Sequence, residues 1–456
     1  MIASLIRLAA GAAALFCAAQ ATAQPPFAPA PESERVVYRH VTLIDGTGAA
    51  PRRDMAVVTR GERIEAVVAD AALTSAQTDG ARSVDLTGRF LLPGLIDSHQ
   101  HLATPPARRQ AEALMRRDIY SGITATRIMA DDLRSIAELD RAARVGEIAG
   151  PDLYFAAVVA GPSFFADPRT RAIAGGGWTP GQTPWAQVID ESTNIPLAIA
   201  RARGTGATAL KIYANLPPHL VRRLAAEAHR QGMAVWAHGM VFPTPPADVI
   251  AAGPDVISHT CYLAYQVQQR RPESYQARSP IDPAPFATDN PVMARLFAEM
   301  RRRNTILDPT LRVYREVERR APPNRPPYCT LDLAARLTDQ ARRAGLLLSA
   351  GTDGDTPREA AYPALFEELE LLVARAGMTP LEAIRAATQI GAMTMGQGRQ
   401  MGVIAPGYLA NLVVLERDPV ADIANMRSVR FTIRRGRRFE RADYRPISRE
   451  EIPDDD

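Results

Sequence analysis

The sequence predicts an α/β protein: a (β/α)8 barrel of the TIM type that carries a small β-sandwich built from both ends of the chain. Eight short apolar stretches alternate with amphipathic stretches of helix length between residues 95 and 353, which is the pattern of a parallel barrel. Short β-type runs separated by turn residues fill positions 36–92 and return at 404–439. His99, His101, Lys211, His238, His259 and Asp353 are distributed over five of the eight predicted strands, at or near the ends where barrel enzymes place their reactive side chains.

These patterns divide the 456 residues into four parts. We expect a signal peptide at 1–23, the N-terminal part of the sandwich at 24–92, the barrel at 93–400, and the rest of the sandwich with the tail at 401–456. The predicted barrel strands are 95–99, 123–129, 153–159, 209–213, 234–238, 256–259, 305–309 and 346–353. Predicted helices include 108–120, 218–231, 291–302, 331–344, 362–376 and 380–393. Three Pro- and Gly-rich segments, 161–184, 266–290 and 321–327, are either substrate walls and lids or plain surface insertions.

The first 23 residues are typical of a secretory signal. Arg7 supplies a positive charge, an apolar core follows, and Ala21 and Ala23 form a small-residue cleavage site. The apolar stretch is too short for a comfortable membrane span. We therefore expect a secreted or periplasmic protein without stable membrane insertion after cleavage. Cys261 and Cys329 remain in the mature chain, and the sequence leaves open whether they pair.

Two histidines end the first predicted barrel strand, in the stretch 91–101, LLPGLIDSHQH. On a strand, residues i and i+2 point to the same face, so His99 and His101 converge on one point. Neutral imidazoles are common ligands of zinc and similar ions. The alternative is an exposed pair without function, but an apolar strand end favours metal binding.

Four further side chains stand near later strand ends: Lys211, His238, His259 and Asp353. Lys211 is the only lysine in the chain and lies in an apolar strand, where an unpaired ammonium is costly. The alternatives are a Lys211–Asp353 salt bridge, core histidines held by hydrogen bonds, and an Asp353 that caps a helix. Because all four follow barrel strands, we predict that they belong to the same metal site.

The stretch 91–101 resembles the first-strand motif of the amidohydrolase superfamily, and the likeness extends over nearly the whole mature chain to the closing stretch 402–415, GVIAPGYLANLVVL. The nearest members are of the imidazolonepropionase-related and Xaa-Pro dipeptidase-like kind. The resemblance implies two divalent ions, Zn first, with Mn, Co or Fe as alternatives. It implies the following ligands: His99, His101 and Asp353 for the more buried ion, His238 and His259 for the second, and an N-carboxylated Lys211 bridging both.

One feature separates two mechanisms within this superfamily. Single-metal deaminases of the family typically carry a Glu three residues after the fifth-strand histidine, whereas this chain has Val241 three residues after His238. Together with Lys211, this favours two metals and hydrolysis. In that mechanism Asp353 is the catalytic residue, since it takes a proton from the attacking water and passes it to the leaving amine.

The sequence therefore predicts an exported, metal-dependent amidohydrolase that uses a metal-bridging hydroxide to cleave an amide or peptide-like C–N bond of a small substrate, of the dipeptide or N-acyl amino acid type. The alternatives are an ester, lactone or phosphotriester hydrolase on the same metal centre, and a non-catalytic exported metal-binding protein. The net charge of +4 comes without a basic run, so we expect a small-molecule partner and no nucleic acid. A homo-oligomer remains open. Candidate substrate contacts, each of which could equally be a packing residue, are Tyr213, Asn215, Trp236 and Tyr262.

Overall fold

The computed structural model describes residues 25–174, 177–354 and 356–453. The predicted signal peptide, 1–23, lies outside this part of the chain. In chain order the strands are β1 (Arg35–Leu43), β2 (Arg52–Arg60), β3 (Arg63–Ala69), β4 (Arg82–Asp85), β5 (Phe90–Pro93), β6 (Leu95–Gln100), β7 (Ile123–Ile128), β8 (Asp152–Ala160), β9 (Gln182–Thr183), β10 (Ala186–Val188), β11 (Ala209–Ile212), β12 (Ala234–His238), β13 (Val256–Ser258), β14 (Ile306–Asp308), β15 (Leu412–Leu415), β16 (Val429–Arg434) and β17 (Arg437–Glu440). The α-helices are α1 (Ser75–Thr78), α2 (Arg108–Tyr120), α3 (Leu133–Val145), α4 (Pro162–Phe165), α5 (Ile195–Arg203), α6 (Pro218–Arg230), α7 (Pro246–Ala251), α8 (Thr260–Ala264), α9 (Pro291–Arg302), α10 (Leu311–Arg320), α11 (Leu331–Arg343), α12 (Leu365–Ala376), α13 (Pro380–Arg385) and α14 (Gly391–Thr394).

Both ends of the chain build one separate sheet, as the sequence predicts. Its strand order is β17-β16-β15-β5-β1-β2-β3, with β4 paired to β1. The two ends meet where β5 pairs parallel with β1 and antiparallel with β15. Alternating apolar residues bury one face of this sheet, and its core includes Tyr38, Leu91, Leu412 and Phe431.

Seven parallel strands form the barrel, in the order β6-β7-β8-β11-β12-β13-β14, with helices between them. The eighth position is taken by residues 346–353, which the sequence predicted as a strand. This segment forms only a single parallel bridge, between Leu348 and Leu307, rather than a strand, and it still bonds to both neighbours. Ser98 N donates to Ala350 O at 2.9 Å, and Ser349 N donates to Leu307 O at 3.0 Å. The barrel is thereby nearly closed.

Helix starts follow capping residues that are visible in the sequence. Asn290 accepts a hydrogen bond from Val292 N at the start of α9, and Thr330 accepts one from Leu333 N at the start of α11. The apolar faces of these helices pack on the barrel. Among the described residues, none of the helices combines the length and the apolar character that a membrane span requires.

The interior of the barrel is filled by side chains rather than by an open channel. Trp236 is its largest member, and the indole Nε1 donates to Thr394 O at 3.0 Å. Small alanines on neighbouring strands make room for this ring. The packed cluster comprises Met129, Ala156, Ala209, Trp236, Val256, Ile306 and Ile390.

A disulfide joins Cys261 in α8 to Cys329 just before α11, across 68 residues of sequence and with a Cα–Cα separation of 6.3 Å. The sequence left this pairing open. The bond fixes the segment that carries Tyr328 against the helix that follows β13. It therefore holds one wall of the cavity described below.

Candidate metal centre and active site

The six metal ligands predicted from the sequence meet in one cavity of about 190 Å³. They arrive from five different barrel positions: the end of β6, the middle of β11, the end of β12, the residue after β13, and the eighth segment. This convergence at one end of the barrel is the arrangement expected of barrel enzymes. The six are His99, His101, Lys211, His238, His259 and Asp353.

His99 and His101 are each oriented by a buried carboxylate. Nδ1 of His99 lies 2.9 Å from Asp308 Oδ2, and Nδ1 of His101 lies 3.0 Å from Asp131 Oδ1. Their Nε2 atoms then point to the same oxygen, Asp353 Oδ1, at 3.2 and 3.3 Å. A carboxylate on one ring nitrogen fixes the tautomer that presents the other to a metal. The geometry thus fits a cation between these groups.

The charge balance at this point favours a positive ion. Burial acts to lower the pKa of His101, but the hydrogen bonds that its ring donates to the Asp131 and Asp353 carboxylates raise this pKa to about 10. Burial acts to raise the pKa of Asp353, but the neighbouring His99 and His259 hold that pKa well below its usual range. The carboxylate is therefore ionised, and the field around it stabilises positive charge.

His259 completes a group of three possible ligands. Atoms of His99, His259 and Asp353 lie within 4.8 Å of one another. His259 Nδ1 is 3.0 Å from Thr310 Oγ1 and 3.6 Å from Asp353 Oδ2. His259 and Asp353 both have positive φ, 73° and 42°, which for such residues is uncommon and is typical of functional sites.

Lys211 and His238 contribute buried polar atoms without partners. Among the described residues, neither Lys211 Nζ nor His238 Nδ1 makes a hydrogen bond. Burial, and then the Arg127 guanidinium, lower the pKa of Lys211 to about 7. Burial, followed by the charge of Lys211, lowers the pKa of His238, and burial lowers that of His259 to about 3. Neutral imidazoles with free lone pairs are the form that binds metals.

The remaining three histidines of the sequence lie away from this cavity. His40 sits beside Asp54 in the separate sheet, while His219 and His229 on α6 pair with Glu191 and Asp255. Each pairing is largely exposed.

Buried carboxylates around the ligands were not identified from the sequence. Asp308 is fully buried and accepts from Arg127 Nη2 at 2.8 Å and Ser258 Oγ at 3.0 Å, besides its contact with His99. Asp131 accepts from the backbone N of Leu102 and Ala103 as well. The sequence could have indicated Asp308, because this aspartate is the last residue of an apolar barrel strand.

Asp97 ties the first strand to the eighth segment. It accepts from His99 N at 3.0 Å, from Thr352 N at 3.1 Å and from Thr352 Oγ1 at 2.9 Å. Burial raises its pKa to about 6. Close packing also requires Gly351, because a Cβ there would lie 2.3 Å from Asp308 Oδ1.

The four predicted substrate contacts divide into three groups. Tyr213 and Tyr262 line the cavity, with their rings 4.3 and 5.3 Å from the His238 ring. Trp236 does not reach the cavity, because its indole is packed in the barrel interior. Asn215 uses its side chain to join two loops: Nδ2 donates to Ser163 Oγ and Gln276 Oε1, both at 3.0 Å, and Oδ1 accepts from Tyr275 N at 2.9 Å.

The loop 266–290 supplies a wall that the sequence indicated only as a segment. Tyr275 stacks on the His238 ring at 5.7 Å, and Arg278 lines the same cavity. A larger cavity of about 590 Å³ continues outward and shares Arg278, Tyr328 and Asp353 with the inner one. The metal-ligand set is thus reached through a vestibule wide enough for a small molecule.

Comparisons with known proteins agree with this architecture. Ochratoxinase of Aspergillus niger is 26% identical over 431 residues, covering 84% of this chain and 81% of that protein. Its crystal structure superposes with a TM-score of 0.71 at 21% identity, over 90% of this chain and 96% of that one. A Xaa-Pro dipeptidase with bound methionine (TM-score 0.67, 21% identity, 89% and 100% covered) and molinate hydrolase (0.69, 18%, 90% and 96%) share the fold.

A model of the amidohydrolase family matches residues 90–439. The match runs from β5, the last strand before the barrel, to the closing hairpin of the separate sheet. The sequence-based resemblance is confirmed: the chain belongs to the amidohydrolase family, whose members hydrolyse carbon–nitrogen bonds.

Proposed function

We propose that the protein is an exported, metal-dependent hydrolase that cleaves an amide or peptide-like bond of a small substrate, of the dipeptide or N-acyl amino acid type. One observation carries the proposal. Two imidazole Nε2 atoms, each fixed by a buried carboxylate, point at one oxygen of Asp353 inside a cavity that also contains an unpartnered lysine and an unpartnered histidine.

The residues present suit two divalent ions, with Zn the first expectation. His99, His101 and Asp353 would hold one and His238 and His259 the other, since all five offer nitrogen or carboxylate ligands in a buried, open-sided site. When bound, such ions activate a water and polarise the scissile carbonyl.

Lys211 would bridge the two metal positions after carboxylation of its Nζ to a carbamate. Its neutral amine is the species that combines with carbon dioxide, and a pKa near 7 makes that form abundant at neutral pH. Carboxylation replaces a buried amine with an anion, which would also remove the repulsion between a charged Lys211 and the nearby Arg127 guanidinium.

Asp353 would carry the proton. Both histidine Nε2 atoms contact its Oδ1, which leaves Oδ2 to accept a proton from the attacking water and return it to the leaving nitrogen. A leaving amine must be protonated to depart, so this transfer favours C–N cleavage.

Export is supported by two features. The N-terminal residues have the pattern of a secretory signal, and the Cys261–Cys329 disulfide suits an oxidising compartment. We expect the mature protein in the periplasm or medium.

A substrate panel tests the proposal. The mature chain, loaded with Zn²⁺ or Mn²⁺, is assayed on N-acetyl amino acids, dipeptides, aryl esters, lactones and phosphotriesters, with Asp353→Asn as the inactive control. We expect the highest kcat/KM on amides and its loss on chelation. Hydrolysis of esters or phosphotriesters with amides untouched would contradict the proposal, as would amide hydrolysis that survives complete metal removal.

A further inference from the structure

We infer that Glu368 of α12 caps helix α10 in place of Thr310, and that this substitution of one cap for another leaves the Thr310 hydroxyl free to orient His259. Glu368 is then a positioning residue, because it acts on a proposed metal ligand through a second side chain. The inference rests on the proposed function, since that function makes His259 a ligand.

Helix α10 begins at Leu311, shortly after β14 ends at Asp308. The first N–H groups of a helix have no partner within it, and the usual acceptor is the side chain of the residue just before the helix. Thr310 occupies that position, but among the residues that the structure describes its side chain makes no bond to the helix. Its Oγ1 lies 3.0 Å from His259 Nδ1 instead. The Thr310 hydroxyl therefore serves the ligand and not the helix.

Glu368 supplies the acceptors for α10 from another helix. Its Oε1 accepts a hydrogen bond from Leu311 N at 2.9 Å, and its Oε2 accepts one from Arg312 N at 2.7 Å. The next amide, that of Val313, donates to Thr310 O at 3.2 Å. The first three N–H groups of α10 are thus satisfied without the Thr310 hydroxyl.

Helix α11 has the ordinary arrangement and provides a comparison within the same chain. Thr330 precedes α11 as Thr310 precedes α10, and its side chain accepts a hydrogen bond from Leu333 N at 3.2 Å. Thr330 has the extended backbone of an ordinary cap, with a φ of -98°, whereas Thr310 has a φ of 53°. A positive φ is uncommon for a β-branched residue. At Thr310 it accompanies a hydroxyl that contacts His259 rather than the helix.

The cap that Glu368 provides is costly, because the side chain is fully buried. Burial raises the pKa of Glu368 to about 8, while the hydrogen bonds from the two amides act to lower it. A carboxyl group can accept these bonds in either protonation state. Burying it is nevertheless unfavourable unless the bonds offset its lost hydration, and a threonine in the ordinary conformation caps a helix without this cost. What Glu368 adds is a Thr310 hydroxyl that is free to contact His259.

A double-mutant cycle on metal affinity tests the inference. The Zn²⁺ affinities of Glu368→Gln, Thr310→Val and the double variant are measured by competition with a chromophoric chelator. Glutamine sets an amide NH2 against one backbone N–H, which leaves α10 to compete for the Thr310 hydroxyl. We therefore expect each single variant to bind Zn²⁺ about 10-fold more weakly than the parent. The double variant should bind no more weakly than the weaker single variant, because both substitutions disturb the same contact. Losses that multiply in the double variant, or an unchanged affinity in Glu368→Gln, would overturn the inference.

Thr330→Val is the matched control, since it removes an ordinary threonine cap from α11. It should lower thermal stability as the loss of a cap does and leave Zn²⁺ affinity unchanged. Amide hydrogen exchange reads the α10 cap directly: Leu311 and Arg312 should stay protected in Thr310→Val and lose protection in Glu368→Gln. Loss of their protection in Thr310→Val would overturn the inference. If the glutamine variant does not fold, Glu368→Asp, which withdraws the carboxyl group by one methylene, replaces it in the cycle.

The positioning role and the proposed function fail in different ways. A parent chain that binds no divalent ion would contradict the proposed function, and the imidazole ¹⁵N signals of the metal-free protein then test the positioning role alone. The chain has seven histidines, so the His259 signals are assigned by their loss in His259→Gln. The same change of these signals in Glu368→Gln and in Thr310→Val would support the role. Signals that change in Thr310→Val but not in Glu368→Gln would overturn it.

Discussion

The strand ends and the loop wall of the cavity are built in opposite ways. At the strand ends, His99, His101 and His259 are each fixed by a neighbouring polar side chain. At the wall, Arg278 is held by aromatic rings and one phenol, with no acid beside it among the residues described. The three histidines are oriented by polar side chains of the protein, whereas Arg278 is packed among aromatic rings and lines the cavity.

This difference separates the groups proposed to carry the chemistry from the groups that shape the cavity. Groups that must act in a defined geometry sit on the rigid barrel, where second contacts lock their orientation. Arg278 and Tyr275 sit on the long loop 266–290, which Asn215 anchors through its hydrogen bond from Tyr275 N. Substitutions at strand ends should therefore change catalysis and metal binding, and substitutions at the wall should change KM and substrate preference.

The largest effect is expected for Asp353→Asn. The variant keeps the shape of the side chain but cannot carry the proton, so kcat should fall by about 10²- to 10⁴-fold. Steady-state assays on the best amide of the panel measure this, with thermal melting as the folding control. A kcat within tenfold of the parent would remove Asp353 from the catalytic step.

The next effect is expected for Asp308→Asn, which acts through His99. Loss of the charge frees the imidazole from one orientation and should weaken metal affinity about 10- to 100-fold. Competition with a chromophoric chelator measures the affinity. Thr305→Val is the control, because Thr305 directly precedes the same strand and its hydroxyl donates to Pro254 O, away from His99. Equal affinities in both variants would contradict the orienting role.

Formation of the carbamate should depend on pH. Since the pKa of Lys211 is lowered to about 7 by burial and by Arg127, the neutral fraction of the amine rises about tenfold from pH 6 to pH 8. At constant dissolved ¹³CO2, the ¹³C carbamate signal of the metal-free protein should rise accordingly. The lone lysine makes this signal assignable, and Lys211→Ala controls for the terminal amine. A signal independent of pH, or retained in the variant, would exclude Lys211.

The smallest effect is expected for Asn215→Gly. Glycine accepts the φ of 59° without strain, so the variant loses only the three side-chain hydrogen bonds that join the loops. KM should rise about fivefold, the value of roughly one hydrogen bond, with kcat nearly unchanged. Asn304→Gly has a similar φ of 60° in the exposed turn before β14 and is the matched control. A fall in kcat at constant KM would place Asn215 in the chemistry instead.

The sequence was sufficient for the barrel, for the separate sheet and for the convergence of the candidate ligands at the strand ends, because periodicity and strand order determine where those side chains meet. The sequence did not indicate how far along the barrel axis each inward-pointing side chain lies. Lys211 and Trp236 are register partners on neighbouring strands, yet the lysine lines the cavity and the indole turns to Thr394. Strand parity distinguishes inward from outward positions, but it does not give height along the barrel axis.

The loop wall could not be derived for a different reason. Arg278, Tyr275 and Tyr328 come from two segments without regular periodicity, and their meeting depends on a disulfide and on Asn215. Such contacts join residues far apart in sequence, and local patterns carry no information about them. Asp308 and Asp131 were partly predictable. The sequence places them at or just after barrel strands, but it does not show that they contact His99 and His101.

Metal content tests the central claim most directly. The mature protein, purified from metal-supplemented growth, is compared with Lys211→Ala by elemental analysis per chain. We predict about two divalent ions for the parent, matching the two ligand groups, and a sharp fall in the variant because the bridging carbamate is lost. One ion per chain, unchanged in Lys211→Ala, would contradict the lysine-bridged centre.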